Sequence, residues 1–156
     1  MPDYTHFPEF SIREHGIEIT VSLKRFEPLF QKAQYALDSA IMASMEPYMP
    51  MQTGSLIQRS RAESAALAGT GTVVAAAAPY GRYQYFGKKM VDSRTGKGPR
   101  YIPTIGYRFM KGATLRATDE PLTYGRASAT PLWFETAKQK HGKDWIGVVQ
   151  RVINGG

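Results

Sequence analysis

The chain has 156 residues, of which 42% are hydrophobic and 21% charged, a composition typical of one globular domain with its own core. It contains no cysteine, which excludes disulfides, thiol nucleophiles and thiolate metal sites. The formal net charge is +7, and this basic balance predicts an anionic partner, either nucleic acid or an acidic protein surface. No signal segment is recognised after Met1. No apolar run approaches the roughly 20 residues of a membrane-spanning helix, so we expect no membrane association.

The N-terminal part is predicted to contain an arm, a strand and the principal helix. Residues 1–16 are interpreted as an extended arm. Residues 17–23 alternate apolar and polar side chains, the period-two pattern of a strand with one buried face. Residues 25–46 carry apolar side chains at three- and four-residue steps, which predicts an amphipathic helix. Pro28 is compatible only with its first turn, and Pro47 ends it.

The next stretch is ambiguous between helix and strand. Residues 57–68 include an alanine-rich run with high helix propensity, yet a glycine-rich turn at 69–71 is typical of a hairpin. We therefore favour a strand at 57–68, paired with a small-residue strand at 72–78. A short helix at 80–86 is expected to end at Gly87.

Residues 88–130 contain frequent glycine and proline and no long periodic segment, apart from short strands or a hairpin expected at 100–109. Such a long loop in a compact domain is usually functional, and we interpret it as a basic, aromatic-bearing extension that folds fully only against a partner. Prolines and glycines suit a docking arm, so we favour protein over DNA as that partner. The candidate partner or DNA-channel contacts are Lys88, Lys89, Arg94, Lys97, Arg100, Arg108, Lys111 and Arg116.

The last predicted element is a helix at 131–153. Thr130 provides a cap and Pro131 occupies the first helical position, while Gly142 is expected to kink or split the helix, with Asp144 capping the second piece.

These elements predict an α+β fold. A small antiparallel sheet is covered by the long N-terminal helix and the C-terminal helix, and a long basic extension is added. The chain is predicted to be one domain, 1–156, with its core in residues 17–87 and 131–153.

The side chains that carry chemistry are sparse. The three histidines are far apart and lack metal-ligand spacing. Asp92, Asp119 and Glu120 are the acidic residues of the extension and the candidates for magnesium in a nucleic-acid-processing protein. No serine has a histidine nearby in sequence. We predict no cofactor, no metal and no enzyme activity, with a DNA-binding or magnesium-dependent nucleic-acid-processing protein as the alternative.

One ordered set of motifs resembles a known family. The principal helix is followed by Pro50-Met51-Gln52-Thr53-Gly54-Ser55-Leu56 with Ser60, then Ala78-Pro79-Tyr80 and Tyr85-Phe86-Gly87, then a last helix led by Pro131-Leu132-Trp133-Phe134. This order resembles the minor capsid and tail-completion proteins of tailed bacteriophages. Gly81 stands where that family more often has alanine, and Tyr85-Phe86 replaces an acidic-aromatic pair.

The resemblance implies a structural virion protein. It implies a ring of identical subunits, often six-fold, in the neck between head and tail, with host cytoplasm as the place of assembly. Expected partners are the portal or adaptor, the tail-tube or tail-terminator proteins, other copies of the chain, and DNA in the channel. The candidate subunit-docking aromatics are Tyr80, Tyr83, Tyr85, Phe86, Tyr101 and Tyr107.

Overall fold

A computed structural model describes residues 10–14, 17–21, 26–78 and 81–155, with side chains from residue 26 onward. The class is α+β, as predicted, because long helices accompany short antiparallel strand pairs. None of the helices in these ranges is long and apolar enough to cross a membrane. In chain order the elements are β1 (Phe10–Glu14), β2 (Ile17–Val21), α1 (Glu27–Met45), α2 (Ser55–Ala66), α3 (Gly81–Phe86), β3 (Lys88–Asp92), β4 (Arg100–Ile102), β5 (Gly106–Arg108), β6 (Leu115–Pro121) and α4 (Trp133–Gly155).

The core lies where α1 packs along α4, the most extensive contact between two helices. Met42 and Met45 of α1 are buried against Trp133 and Trp145 of α4 in one apolar cluster. Helix α1 begins at Glu27 with a proline in its first turn and ends at Met45, where Pro47 enters a short 3₁₀ turn. The principal helix predicted from apolar periodicity is therefore confirmed.

The strands form three separate two-stranded antiparallel pairs, β1–β2, β3–β6 and β4–β5. In the first pair Phe10 lies opposite Val21 and Glu14 opposite Ile17. The strand predicted at 17–23 is present over Ile17–Val21, and residues 22–23 lie outside the described ranges. The prediction of an extended arm is wrong for residues 10–14, because these residues pair with β2 as a hairpin. The remainder of that arm lies outside the described residues.

The strand pair predicted for 57–68 and 72–78 is wrong. Residues 57–66 belong to α2, because the helix propensity of the alanine-rich run outweighs the hairpin signal of the following turn. Residues 72–78 form no strand. They lie instead against α2, where Ser64 Oγ accepts a hydrogen bond from Val74 N at 2.9 Å and Ser60 Oγ accepts one from Ala77 N at 3.1 Å. Buried serines thus satisfy backbone groups that a sheet ladder was expected to satisfy.

The glycine-rich turn after α2 is held by a buried carboxylate of α1. Asp38 is 3% exposed, and its Oδ2 accepts hydrogen bonds from Gly69 N at 2.8 Å and Gly71 N at 3.1 Å. Its Oδ1 accepts a third from Gln34 Nε2 at 2.7 Å. Both glycines have positive φ, so the turn requires residues without a Cβ at these positions.

Helix α4 differs from the prediction at its start and at its middle. It begins at Trp133, because Leu132 has φ 50° and donates its N–H to the Tyr85 carbonyl at 2.7 Å, outside the helix. The expected split at Gly142 is wrong, since one helix runs from Trp133 to Gly155. The two tryptophans anchor the helix to the core on both sides of Gly142.

We predict that Asp38→Ala destabilises the fold by about 2–3 kcal/mol, because it leaves the buried N–H of Gly69 without an acceptor and removes the partner of the Gly71 N–H. Urea unfolding followed by far-ultraviolet circular dichroism measures the change. The matched control is Asp144→Ala on the exposed side of α4, expected to change stability by less than about 0.5 kcal/mol. Equal effects of the two substitutions would contradict the assigned role of Asp38.

A second pair of substitutions tests two glycines. A Cβ at Gly81 would lie 2.6 Å from the backbone carbonyl carbon of Ala76, whereas one at Gly142 meets nothing within 4 Å. Gly81→Ala is therefore expected to cost about 1–3 kcal/mol through overpacking. Gly142→Ala is expected to stabilise α4 by about 0.5–1 kcal/mol. Thermal unfolding measures both, and a stable Gly81→Ala variant would show that Gly81 and Ala76 do not approach as closely as the structure places them.

Candidate interaction surface

The basic segment 88–130 leaves the core after Gly87, and its last residues, from Leu122 onward, return to the core through several hydrogen bonds. Gly87, with φ +66°, accepts a hydrogen bond from Leu122 N at 2.8 Å. A Cβ at this glycine would lie 2.7 Å from Pro131 Cβ, so the close approach requires glycine. Beyond this point β3 pairs with β6, with Met90 opposite Ala117 and a bulge in β6 between residues 117 and 121.

The segment contains more regular structure than was expected without a partner. The strands predicted at 100–109 are present as β4 and β5. In addition, β3 and β6 form a stem of five and seven residues that the sequence pattern did not predict. Two antiparallel pairs therefore follow each other, the β3–β6 stem and the β4–β5 hairpin.

The hairpin exposes large apolar side chains. Tyr101 lies directly opposite Tyr107, and their rings meet edge to face with centroids 5.3 Å apart. Both are more than half exposed, at 65% and 58%. Three further apolar residues on or beside the hairpin are also exposed. We define the hairpin surface as Tyr101, Ile102, Ile105, Tyr107 and Met110.

The predicted cationic contacts fall into two groups. Lys88 and Lys89 belong to the stem: Lys88 Nζ contacts the Asp119 carbonyl at 3.4 Å, and Lys89 Nζ pairs with Glu120 at 2.8 Å. The hydrogen bond and the charge of Lys89 lower the pKa of Glu120. The second group lies in the loops, the hairpin and β6. Within the described part of the chain no carboxylate pairs with Arg94, Lys97, Arg100, Lys111 or Arg116.

Two arginines lie at the base of the hairpin. Arg100 is directly opposite Arg108, and like charges in that register destabilise an isolated strand pair. Arg108 donates to the Tyr107 carbonyl at 2.8 Å, and Arg100 Nη2 lies 2.7 Å from Met110 Sδ. Positive charge is thus concentrated beside the exposed rings and the methionine.

The other predicted docking aromatics are not part of this surface. Tyr85 is half-buried and its ring meets Trp133 edge to face at 4.8 Å. The pKa of Tyr85 is raised mainly by burial and, to a smaller extent, by the negative charge of Glu135. Tyr83 is half-buried on the same helix, and Phe86 is 56% exposed. Tyr80 lies outside the described residues.

Two of the three candidate magnesium ligands are engaged elsewhere in the structure. Asp92 is 6% exposed and its Oδ1 accepts a hydrogen bond from Arg94 N at 2.9 Å, which closes the turn after β3. Glu120 is engaged by Lys89, and Asp119 is exposed on β6. Among the described residues, no three side chains of His, Asp or Glu are close enough to share a metal ion.

The concave regions are open clefts. One, of about 250 Å³, is lined by Leu56, Arg59 and Gly81 among others. A second, of about 360 Å³, lies beside Arg61 and Arg126. The described histidine, His141, lies in neither cleft and is hydrogen-bonded to Tyr48 at 3.0 Å. These two clefts therefore contain no serine–histidine pair of the kind that activates a nucleophile.

No family model, curated protein or solved structure matches this chain. The function is therefore inferred from the hairpin surface and from the residue motifs.

The sequence pattern missed three members of the hairpin surface. These are Ile102, Ile105 and Met110. Pro103 and Gly106 interrupt this stretch, so its apolar residues follow neither the period of a strand nor that of a helix. The available signal was the number of large apolar residues in a short segment rich in turn residues. Such residues are usually buried, so their presence in a loop indicates either a missed core element or an interface.

We predict that Ile105→Ser combined with Met110→Ser changes the free energy of unfolding by less than about 0.5 kcal/mol, because both side chains are exposed. Urea unfolding of the variant and the parent chain measures this. The core substitution Met45→Ala is the positive control, expected to cost about 2–5 kcal/mol. A loss of similar size in the hairpin variant would mean that these side chains contribute to the chain's own core.

Proposed function

We propose that this chain is a structural protein of a tailed bacteriophage, forming a ring in the neck that joins the DNA-filled head to the tail. The observation that carries the proposal is the hairpin surface. Five exposed apolar side chains on or beside one short hairpin, bordered by cations, have the composition of a protein–protein contact rather than of a solvated loop.

The residues of the phage-like motifs support this proposal through their structural roles. Gly54, with φ +79°, precedes the first turn of α2. Ser60 binds the backbone of Ala77, and Gly87 makes the close approach to Pro131. Trp133 is fully buried. The motif residues therefore organise a framework around the extension, as expected of a scaffold whose variable loops contact neighbours.

A ring of identical subunits uses one heterologous interface repeated around an axis. The proposed assembly is six-fold, contacts the portal or adaptor on the head side and the tail-tube or tail-terminator protein on the other, and surrounds the DNA channel. It is built in the host cytoplasm and ends in the virion neck. This role involves neither catalysis nor a cofactor.

DNA binding is retained as a second candidate on the basis of five cations of the segment that pair with no carboxylate of the described residues: Arg94, Lys97, Arg100, Lys111 and Arg116. It predicts that the isolated chain binds DNA with an affinity that falls steeply with salt. Magnesium-dependent cleavage receives less support, because Asp92 is engaged in a turn and Glu120 in an ion pair.

The deciding experiment inactivates the gene in the phage that encodes it. We expect DNA-filled heads and complete tails to accumulate unjoined in electron micrographs, with infectivity restored by the chain supplied from a plasmid. Labelling the supplied chain should place it at the neck of the restored particles. Normal yields of joined, infectious particles without the chain would contradict the proposal.

A further inference from the structure

The positive charge of the chain is concentrated in one segment. Residues 88–130 contain nine lysines and arginines against three acidic residues, and so carry six of the seven net positive charges. Two of the acidic residues are already engaged, Asp92 in its turn and Glu120 with Lys89. The segment therefore presents cations that its own carboxylates do not neutralise.

The cations border the hairpin surface. Arg100 opens β4 immediately before Tyr101, and Lys111 immediately follows Met110. Neither pairs with a carboxylate of the described residues. Apolar side chains in the centre with charges at the edge are the usual arrangement of a protein interface, in which arginine, tyrosine and methionine are enriched.

The positive charge of the segment and the apolar side chains of the hairpin surface together limit which class of molecule can be the partner. Outside 88–130 the chain retains a net charge of only +1, so another copy offers little overall charge complementarity to this segment. Duplex DNA would satisfy the cations but would leave Ile102, Ile105 and Met110 without apolar contacts along the phosphate backbone. An acidic protein with an apolar groove satisfies both.

We infer that the hairpin surface inserts its apolar side chains into a groove, rimmed by carboxylates, on a different and acidic protein of the neck. The inference rests on the proposed function and specifies which surface makes the contact between rings. The apolar centre supplies most of the affinity, and Arg100 and Lys111 at the rim accelerate association and align the partners.

The test uses the full-length chain and, as the probe, DNA-filled heads purified from an infection that lacks it. Binding is measured by co-sedimentation of fluorescently labelled chain with heads. We expect the triple variant Tyr101→Ser, Ile105→Ser, Tyr107→Ser to bind at least about 100-fold more weakly than the parent chain. The matched control is Ile146→Ser, which removes a side chain that is 60% exposed on α4 and is expected to bind as the parent does.

A second pair of variants tests the rim. Arg100→Gln with Lys111→Gln is expected to lower the association rate about tenfold at low salt, with the difference disappearing as salt rises. Lys138→Gln with Lys143→Gln removes the same charge from exposed positions of α4 and should leave the rate nearly unchanged. Equal slowing by both pairs would mean that net charge, rather than this surface, guides association.

The outcomes separate the inference from the proposed function. If the parent chain co-sediments neither with heads nor, in the same assay, with purified tails, the neck role itself fails. If the parent chain binds and the triple variant binds equally well, only the hairpin assignment is overturned. Circular dichroism and thermal unfolding of each variant establish that it is folded before binding is compared.

Two further measurements assess the excluded partners. Sedimentation of the free chain that shows a stable oligomer lost in the triple variant would overturn the inference in favour of a second copy. Tight binding to a short duplex DNA, lost in the same variant, would overturn it in favour of DNA. A monomer without duplex affinity that still binds heads through the hairpin supports the inference.

Discussion

Burial of the Trp133 indole is the interaction on which the rest of the structure depends. The ring is fully buried, its N–H donates to the Ala75 carbonyl at 2.8 Å, and Tyr85 packs edge to face against it. Trp133 therefore joins three segments that are far apart in sequence: the 72–78 stretch, α3 and α4. It also belongs to the apolar cluster that contains the methionines of α1. Because tryptophan combines a large apolar area with one obligatory donor, it fixes both the packing and the register of these segments.

Buried polar side chains accept hydrogen bonds from backbone amides in this fold, whereas a central sheet satisfies such amides in many α+β proteins. Asp38, Ser60 and Ser64 are each at most 5% exposed, and all three accept hydrogen bonds from backbone amides in residues 69–77. The small side chains of that stretch allow it to lie close to α2. A segment with no strand partner can thus lie partly buried while the amides of Val74 and Ala77 keep hydrogen-bond acceptors.

The basic segment 88–130 is attached to the core at one end, and its β4–β5 hairpin is exposed. Gly87 and Leu122 fasten the base of its stem to the core, and Tyr124, whose pKa is raised by burial, donates its hydroxyl to the Gln84 carbonyl. The β4–β5 hairpin at the other end keeps Tyr101 and Tyr107 exposed. A short two-stranded hairpin is only marginally stable in water, so we expect a partner to add to its stability, which suits a subunit that completes its fold during assembly.

The sequence alone determined the α+β class, helix α1, the strand at 17–21 and the hairpin region at 100–109, because periodicity and proline positions are local signals. Its composition also located the positive charge in 88–130. The helix propensity of 57–66 was also a local signal, and it outweighs the turn signal at 69–71. Only the tertiary structure decided that 72–78 lie against α2 without a strand partner. It alone showed that α4 runs unbroken past Gly142 and that Ile102, Ile105 and Met110 are exposed. These outcomes depend on contacts between distant residues, such as Ser60 with Ala77 and Trp133 with Ala75, and no local pattern encodes such contacts.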